Sequence, residues 1–408
     1  MVNLPIRVER AAKLSAGAIV ALTLGLFQLG QPSLWVDESF TARATGYPFA
    51  RLSGENHWLY YTLVKTWTLI AGTGEWALRF PSVVGAVVAV VLLYLFGRRL
   101  LGPRAGLVAS VLFAVNPFMV KWSQQARSYT WVAVLAIAST WLVLRARERD
   151  TNAGWLSYGL VLLLMIVWQA FSAFLLISVH AVVAWGNRRA IFTWAVVGAI
   201  SVPWLAALAE REGNGGPTTW LERPDIEVIG LALRDAPGAF GVAAVVGICA
   251  LAIDGRYRLL LSMWALLPFA LSLVVSLYKP VFLDRYLIVS SPAFALLGAV
   301  ALERLAGQLR IVAASALVVG TVAGLVLWYE PDGSDNWRGE NWKAATAMTI
   351  RQGGGQVDPF WAEPAYQYYG GRLAHTGWIL VWSEPGNEPA DASKNLPYGK
   401  RLSLRDSR

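Results

Sequence analysis

Apolar residues run along this chain in long blocks, and charged residues appear mainly between the blocks. Predominantly apolar stretches fall at about 14–30, 81–97, 105–121, 129–144, 155–170, 172–186, 190–208, 237–253, 259–277, 286–302 and 311–328. Runs of roughly 17–20 such residues match the hydrocarbon thickness of a bilayer. The pattern therefore predicts an all-α polytopic membrane protein with about eleven transmembrane helices. The shorter runs are accommodated by tilt or local thinning. The first run follows Arg7, Arg10 and Lys13 like a signal peptide, but no small-residue cleavage site follows it, so it reads as an uncleaved span.

The loops divide into two kinds. Arg98, Arg99 and Arg104, then Arg145, Arg147 and Arg149, then Arg188 and Arg189, Arg256 and Arg258, and Arg304 and Arg310 fall in short loops on alternate sides of the runs. Short basic loops are cytoplasmic, so the N-terminus is expected inside and the C-terminus outside, in the plasma (inner) membrane. The opposite face carries longer polar segments. The first external loop, 31–80, exceeds what a connection needs. Its segments 39–50 and 58–71 fit helices lying on the membrane surface. An external turn spans 117–128. The loop 209–236, rich in Gly and Pro between Gly213 and Pro217, has the composition of a mobile cover. The expected division is a transmembrane part, 1–328, and a small extracytoplasmic α/β domain, 329–408. In that domain 341–352 is helical, 356–383 holds two or three short strands, and the last twenty or so residues are disordered.

Composition narrows the class. The chain is 56% hydrophobic and 15% charged with 20 Trp, against about 25% charged for soluble domains. The net charge of +9 does not indicate nucleic acid, because the basic residues punctuate apolar runs and form no stripe. The single cysteine, Cys249, lies within an apolar run, where a small buried core residue is expected. It excludes an internal disulfide and a cysteine metal set.

Candidate chemistry gathers on the external face. Asp37 and Glu38 follow the first span directly, in Leu34-Trp35-Val36-Asp37-Glu38-Ser39-Phe40-Thr41. A carboxylate there can deprotonate an acceptor hydroxyl; the plainer alternative is that Asp37 caps a helix starting near Glu38. Glu55, Asn56, His57, Tyr60 and Tyr61 form a polar and aromatic cluster suited to an acceptor or a lipid chain, or simply to interfacial anchoring of Trp58 and Tyr60. Lys121, Arg127, Arg43, Arg79 and Arg285 lie near external span ends and are candidate phosphate binders, with Arg79 the one best suited to snorkelling or anchoring the loop. A metal would draw on His57 with Glu38 or Glu55, but no HExxH spacing is present, so no metal site is assigned and a divalent metal stays open. Sugar nucleotides are scarce outside the cytoplasm, so an activated group there comes from a lipid.

The order of motifs is informative. After Asp37-Glu38 come Asn56-His57-Trp58-Leu59-Tyr60-Tyr61, Glu75-Trp76-Ala77-Leu78-Arg79-Phe80-Pro81-Ser82, Asn116-Pro117, Gln124-Gln125-Ala126-Arg127-Ser128-Tyr129 and Asp284-Arg285-Tyr286. Over residues 15–330 this resembles the GT-C glycosyltransferases, in particular the family of the protein O-mannosyltransferases and the lipid A aminoarabinose transferase, and among them bacterial mannosyltransferase-like members. The resemblance implies a polyprenyl-phosphate sugar donor, inverting transfer outside the cytoplasm, Asp37 as the base with Glu38 as its helper, and Arg127 shaping the site or binding donor phosphate. Lys121, Arg285 and Arg43 are the other phosphate candidates, and Tyr129 joins the acceptor or lipid contacts. Two departures are visible. The turn reads Gln-Gln-Ala-Arg-Ser-Tyr where the family has an acid at the position of Gln125, and Asn56-His57-Trp58 stands where many members read His-Pro-Pro. The acceptor, whether envelope glycolipid, polysaccharide or protein, is not transferred. An oligosaccharide ligase or polymerase using a polyprenyl-pyrophosphate glycan is the alternative. A lipid-handling scaffold or a transporter fits less well, because the charges cluster at external span ends and no repeat is visible.

Overall fold

The computed structural model describes residues 4–213, 221, 223–235, 240–251, 257–330, 340–351, 353–373, 378–382 and 402–406. Helices dominate. In chain order they are α1 (Leu4–Leu26), α2 (Val36–Thr45), α3 (Phe49–Leu52), α4 (Trp58–Ala71), α5 (Glu75–Leu101), α6 (Pro103–Val115), α7 (Pro117–Ser123), α8 (Tyr129–Arg149) and α9 (Asn152–Trp168). Then follow α10 (Ala170–Val183), α11 (Arg188–Gly213), α12 (Ile226–Asp235), α13 (Phe240–Leu251), α14 (Arg258–Tyr278), α15 (Ser291–Arg304), α16 (Gly307–Tyr329), α17 (Trp342–Arg351) and α18 (Glu363–Tyr368). Strands β1 (Gln356–Asp358), β2 (Trp378–Trp382) and β3 (Leu402–Asp406) make one sheet.

Among the described residues five helices are long and apolar enough to cross a membrane: α5, α8, α11, α14 and α16. A sixth arises if α6 and α7 count as one span. The described parts of the eleven apolar runs are mainly helical, but several of those helices are shorter than a full crossing, among them α9, α10 and α13. The run expected at 105–121 is broken, with α6 and α7 meeting at 60°. Pro117 is the cause: it has no N–H to donate and steers Asn116 out of the helical region, to φ −60° and ψ 120°. Asn116 Oδ1 then accepts the Phe118 N–H at 2.9 Å and starts the next helix.

The residues cluster into two compact units. One comprises Met1–Gly25, Ser82–Ser123 and Ser128–Gly324. Its helices carry basic residues in their last turns, such as Arg98 and Arg99 on α5 and Arg147 and Arg149 on α8, where they complement the helix dipole. The turn from α8 to α9 is fixed by Asp150, which adopts a left-handed conformation at φ 46° and accepts the Trp155 indole N–H at 2.9 Å. That bond, with Arg189 nearby, holds the Asp150 carboxyl below its ordinary range. A buried polar chain ties α8, α9, α10 and α11. Trp194 Nε1 donates to Tyr158 Oη (2.9 Å), Tyr158 Oη meets His180 Nδ1 (2.9 Å), and His180 Nε2 meets Thr140 Oγ1 (3.1 Å), which is 2.8 Å from Ala136 O. An indole can only donate. The Tyr158 proton therefore goes to Nδ1, Nε2 carries the imidazole hydrogen, and Thr140 donates to the Ala136 carbonyl. Helices α13 and α15 pack closely at Gly247, where a Cβ would lie 2.2 Å from the Leu297 carbonyl oxygen. Cys249, expected in the core, is exposed on α13, because that face of the apolar helix is uncovered by protein.

The other unit comprises Leu26–Pro81, Gln124–Arg127 and Leu325–Arg408, so the tail folds with the first long loop and the 124–127 turn. Helices α2, α3 and α4 occupy the segments expected to be helical in that loop. In the sheet β1 pairs parallel with β2, Val357 opposite Leu380, and β2 pairs antiparallel with β3, Leu380 opposite Leu404. β3 falls in the stretch expected to be disordered; its Leu402 is fully buried, and burial with a paired backbone stabilises a strand that composition alone disfavours. The core of this unit gathers Trp342, Ala345, Val357, Ala365, Tyr366, Leu380 and Leu402 around Val36 of α2. The segment 209–236, expected as loop, contains α12, and its residues 214–220, which hold most of the Gly- and Pro-rich stretch, lie outside the described residues.

Candidate active site

Helix α2 begins at Val36, with Trp35 as its N-cap. Asp37 is therefore the second helical residue and not the cap, which removes the plainer reading of its role. The next residue differs sharply. Consecutive helical side chains diverge by about 100°, and here Glu38 turns fully inward (0% exposed) while the Asp37 side chain stays 24% exposed.

Glu38 is a structural keystone. Its Oε1 accepts Arg79 Nε at 2.8 Å and the Ala126 N–H at 2.7 Å. Its Oε2 accepts Arg79 NH2 at 2.6 Å and the Trp35 N–H at 3.3 Å. With four donors on two oxygens, Glu38 has no capacity to move a proton or hold a metal. The expectation of a catalytic or metal-binding Glu38 is accordingly revised to a positioning role. Arg79 completes the set by donating also to the carbonyls of Leu29, Pro32 and Ser33, each at 2.9 Å. It is 3% exposed. Its five N–H groups are all spent on protein, so it anchors the loop and is not a phosphate ligand.

This network fixes the turn that carries Arg127. Thr41 Oγ1 donates to Ala126 O at 2.8 Å, and the Arg127 N–H closes a tight turn onto Gln125 O at 2.7 Å. Gln124 is held by Phe27 O (2.7 Å), Tyr329 Oη (3.2 Å) and the Trp328 indole (2.8 Å). Arg127 then reaches Asp37: NH1 donates to its carbonyl at 3.1 Å, and NH2 lies 3.7 Å from Oδ2. Gln125, at the position where the family carries an acid, is buried and lines a small pocket with Glu38, Arg79, Trp35 and Trp328. A second carboxylate there would sit beside Glu38 with Arg79 already committed, and the amide avoids that charge.

The remaining expected residues lie as follows. Arg43 is exposed in the last turn of α2, about 9 Å along the axis from Asp37, with its guanidinium 5.2 Å from the Phe40 ring centroid. Glu55, Asn56 and His57 are partly exposed ahead of α4, and the His57 ring meets Tyr61 edge to face at 6.0 Å. Tyr60 (1% exposed) and Tyr61 (6%) are packed inside protein and offer no open aromatic face. In the first unit Lys121 Nζ lies 3.4 Å from Asp284 Oδ2, while Asp284 Oδ1 accepts the Arg285 N–H at 2.6 Å. Tyr129 is buried there against Trp122, centroids 4.5 Å apart. Among the described residues no group of three or more His, Cys, Asp or Glu is placed to hold a metal.

Three residues essential to the geometry were not anticipated. Glu340 accepts the Val36 N–H at 3.1 Å, Tyr369 Oη accepts the Leu34 N–H at 2.7 Å, and Trp342 donates to Glu340 at 2.8 Å. Burial raises the Tyr369 hydroxyl above its ordinary range, so it stays protonated and donates to Glu75 at 3.3 Å. The richness of the tail in Trp and Tyr is the only sequence signal for them.

The family model for dolichyl-phosphate-mannose-protein mannosyltransferase matches residues 58–209. That segment is less than half of the chain, and the solved structures similar to it show that the fold is GT-C-like, as in ArnT. Among solved structures, ArnT from Cupriavidus metallidurans in the apo state superposes with a TM-score of 0.59 at 17% identity, over 89% of this chain and 75% of that one. The same protein bound to undecaprenyl phosphate gives 0.58 at 16% identity, over 87% and 74%. An undecaprenyl phosphate-alpha-4-amino-4-deoxy-L-arabinose arabinosyl transferase from Edwardsiella ictaluri is 33% identical over 156 residues, 35% of this chain. The match spans only 28% of that relative's length.

Proposed function

We propose that this chain transfers a sugar, mannose or another pentose or hexose, from a polyprenyl-phosphate donor to an extracytoplasmic acceptor, with inversion. One observation carries the reading: Asp37 is held half-open beside Arg127 on a helix whose next residue, Glu38, is locked in place. The Asp37 carboxylate takes the proton of the acceptor hydroxyl, and the hydroxyl oxygen attacks the anomeric carbon. The bond from that carbon to the phosphate oxygen breaks on the opposite face, and the polyprenyl phosphate leaves with the electron pair. Arg127 supplies positive charge at the site, and Lys121 and Arg285 are donor-phosphate candidates on their chemistry. Arg43, Glu55, Asn56 and His57 are retained as surface contacts for donor or acceptor. The relatives support a lipid monophosphate donor over a pyrophosphate-linked glycan, since the names of the family and of the curated relative both carry a phosphate-linked monosaccharide.

The membrane arrangement belongs to the same proposal. It has eleven spans, an inner-membrane location, the N-terminus inside, and residues 329–408 outside with the active site. The decisive experiment incubates purified wild-type and Asp37→Asn protein with polyprenyl-phosphate sugars and a membrane lipid extract. Transfer should fall on the order of 10²–10⁴-fold in the variant; equal rates would refute the base assignment. Arg127→Ala and Arg285→Ala should weaken donor binding, and unchanged binding in both would move the phosphate site elsewhere.

A further inference from the structure

Helix α2 has an incomplete cap of its own. Trp35 occupies the N-cap position, where Ser, Thr, Asp or Asn would ordinarily supply a side-chain acceptor. The Glu38 and Ser39 N–H groups turn back onto the Trp35 carbonyl at 3.0 and 3.2 Å. The Val36 N–H goes instead to Glu340 Oε2 at 3.1 Å, a residue 304 positions later in the chain. Glu340 is fully buried, and the same oxygen accepts the Trp342 indole N–H at 2.8 Å. A buried carboxylate thus sits at the positive end of α2. The neighbouring residues are tied to the tail as well. The Leu34 N–H donates to Tyr369, Ser33 Oγ accepts the Lys343 N–H at 3.4 Å, and the Val36 side chain enters the tail's core. The next residue is Asp37.

We propose that Glu340 is a positioning residue for Asp37, so that the C-terminal segment sets the placement of the proposed catalytic base. The inference rests on the proposed role of Asp37, but the clamp itself is tested without it. Glu340 supplies the cap that Trp35 lacks and fixes the first turn of α2 from outside the loop. Glu38, held by Arg79, fixes the same turn through its bonds to the Trp35 and Ala126 N–H groups. Asp37 lies between Val36 and Glu38, the two residues so tied, and its Oδ2 is 3.7 Å from Arg127 NH2.

Hydrogen exchange on the full-length protein in detergent, read over residues 36–45, is the primary test. Glu340→Ala should speed exchange there about tenfold or more, from loss of a charge-assisted bond. Glu340→Gln keeps an oxygen in place and should fall between, which also covers a poorly folding alanine variant. Tyr368→Phe, which removes only an exposed bond from the tail to the Thr73 carbonyl, should leave the segment slow. Transfer is then measured with undecaprenyl-phosphate-linked mannose and 4-amino-4-deoxy-L-arabinose as probes. kcat should drop about tenfold in Glu340→Ala with donor KM unchanged, and Glu340→Gln should recover part of it. Unchanged exchange at 36–45 in Glu340→Ala overturns the clamp, as does equal acceleration in Tyr368→Phe. Faster exchange with unaltered kcat overturns the positioning role. An active Asp37→Asn protein refutes the base assignment instead, while the exchange result still decides whether the clamp exists.

Discussion

Arg79→Lys tests the architecture of the site most directly, because it preserves charge and removes only geometry. Arg79 directs five hydrogen bonds, two to Glu38 and one each to the carbonyls of Leu29, Pro32 and Ser33. A lysine ammonium has three donors and no planar fork. At least two of the five contacts are lost, in a place where water does not replace them. At roughly 0.5–1.5 kcal/mol for a carbonyl partner and about 1.5–3 kcal/mol for a carboxylate, the loss is about 2–4 kcal/mol. Arg79→Met leaves Glu38 buried without its counter-charge and should cost ~3–5 kcal/mol. Thermal unfolding of the purified full-length protein, followed by tryptophan fluorescence, should show Tm falling on the order of 2–5 °C for the lysine variant. Because the pair is buried, the loss should change little between low and moderate salt. Combining Arg79→Met with Glu38→Gln should cost less than the sum of the two, by ~1–3 kcal/mol of coupling. A lysine variant with wild-type Tm and activity, or a cycle with zero coupling, would refute the keystone assignment.

Other consequences are equally open to measurement. Tyr369→Phe should cost about 1–2 kcal/mol by leaving the Leu34 N–H unpaired. Since burial raises the Tyr369 hydroxyl above the ordinary value near 10, the unfolded chain loses its proton first; stability therefore falls as pH rises above about 10, and Tm measured from pH 9 to 11 should fall less steeply in the phenylalanine variant. Tyr158→Phe interrupts the chain from Trp194 to His180 and should lower stability in detergent by about 1–2 kcal/mol; no change in Tm would show that the chain carries no net weight. Gly247→Ala places a methyl group 2.2 Å from a backbone oxygen, so α13 and α15 must separate, and the variant should express poorly or lose several degrees in Tm, an effect of about 1–3 kcal/mol.

Much of the helical framework is legible in the sequence. Long apolar runs of helical length form helices, except that the run read as one span over 105–121 breaks at Pro117. The amphipathic segments 39–50 and 58–71 become α2 to α4, and 341–352 becomes α17. At the site, the pairing of the Asp37 region with the Gln124–Arg127 turn follows from the family resemblance. Other features are not local properties. A five-residue strand such as β3 exists only because β2 offers a partner and the core takes Leu402. The exposure of Cys249 depends on which face of α13 finds a neighbour, and an apolar helix gives no preference. Arg79 looks like any basic residue near a span end until five acceptors surround it.

Asp37 and Glu38 show where the division lies. The sequence by itself determined that two acids stand at the head of the first long loop, and that helices and basic residues accompany them. It could not separate their roles, because adjacent acids are chemically near-identical and their directions differ only by the rotation of the helix. Tertiary packing turns Glu38 to Arg79 and Ala126 and leaves Asp37 partly exposed beside Arg127. It also brought Glu340 to the start of α2 across 304 residues of chain. A hydrogen-bond partner that distant leaves no periodic trace in either segment, so only the folded chain reveals it.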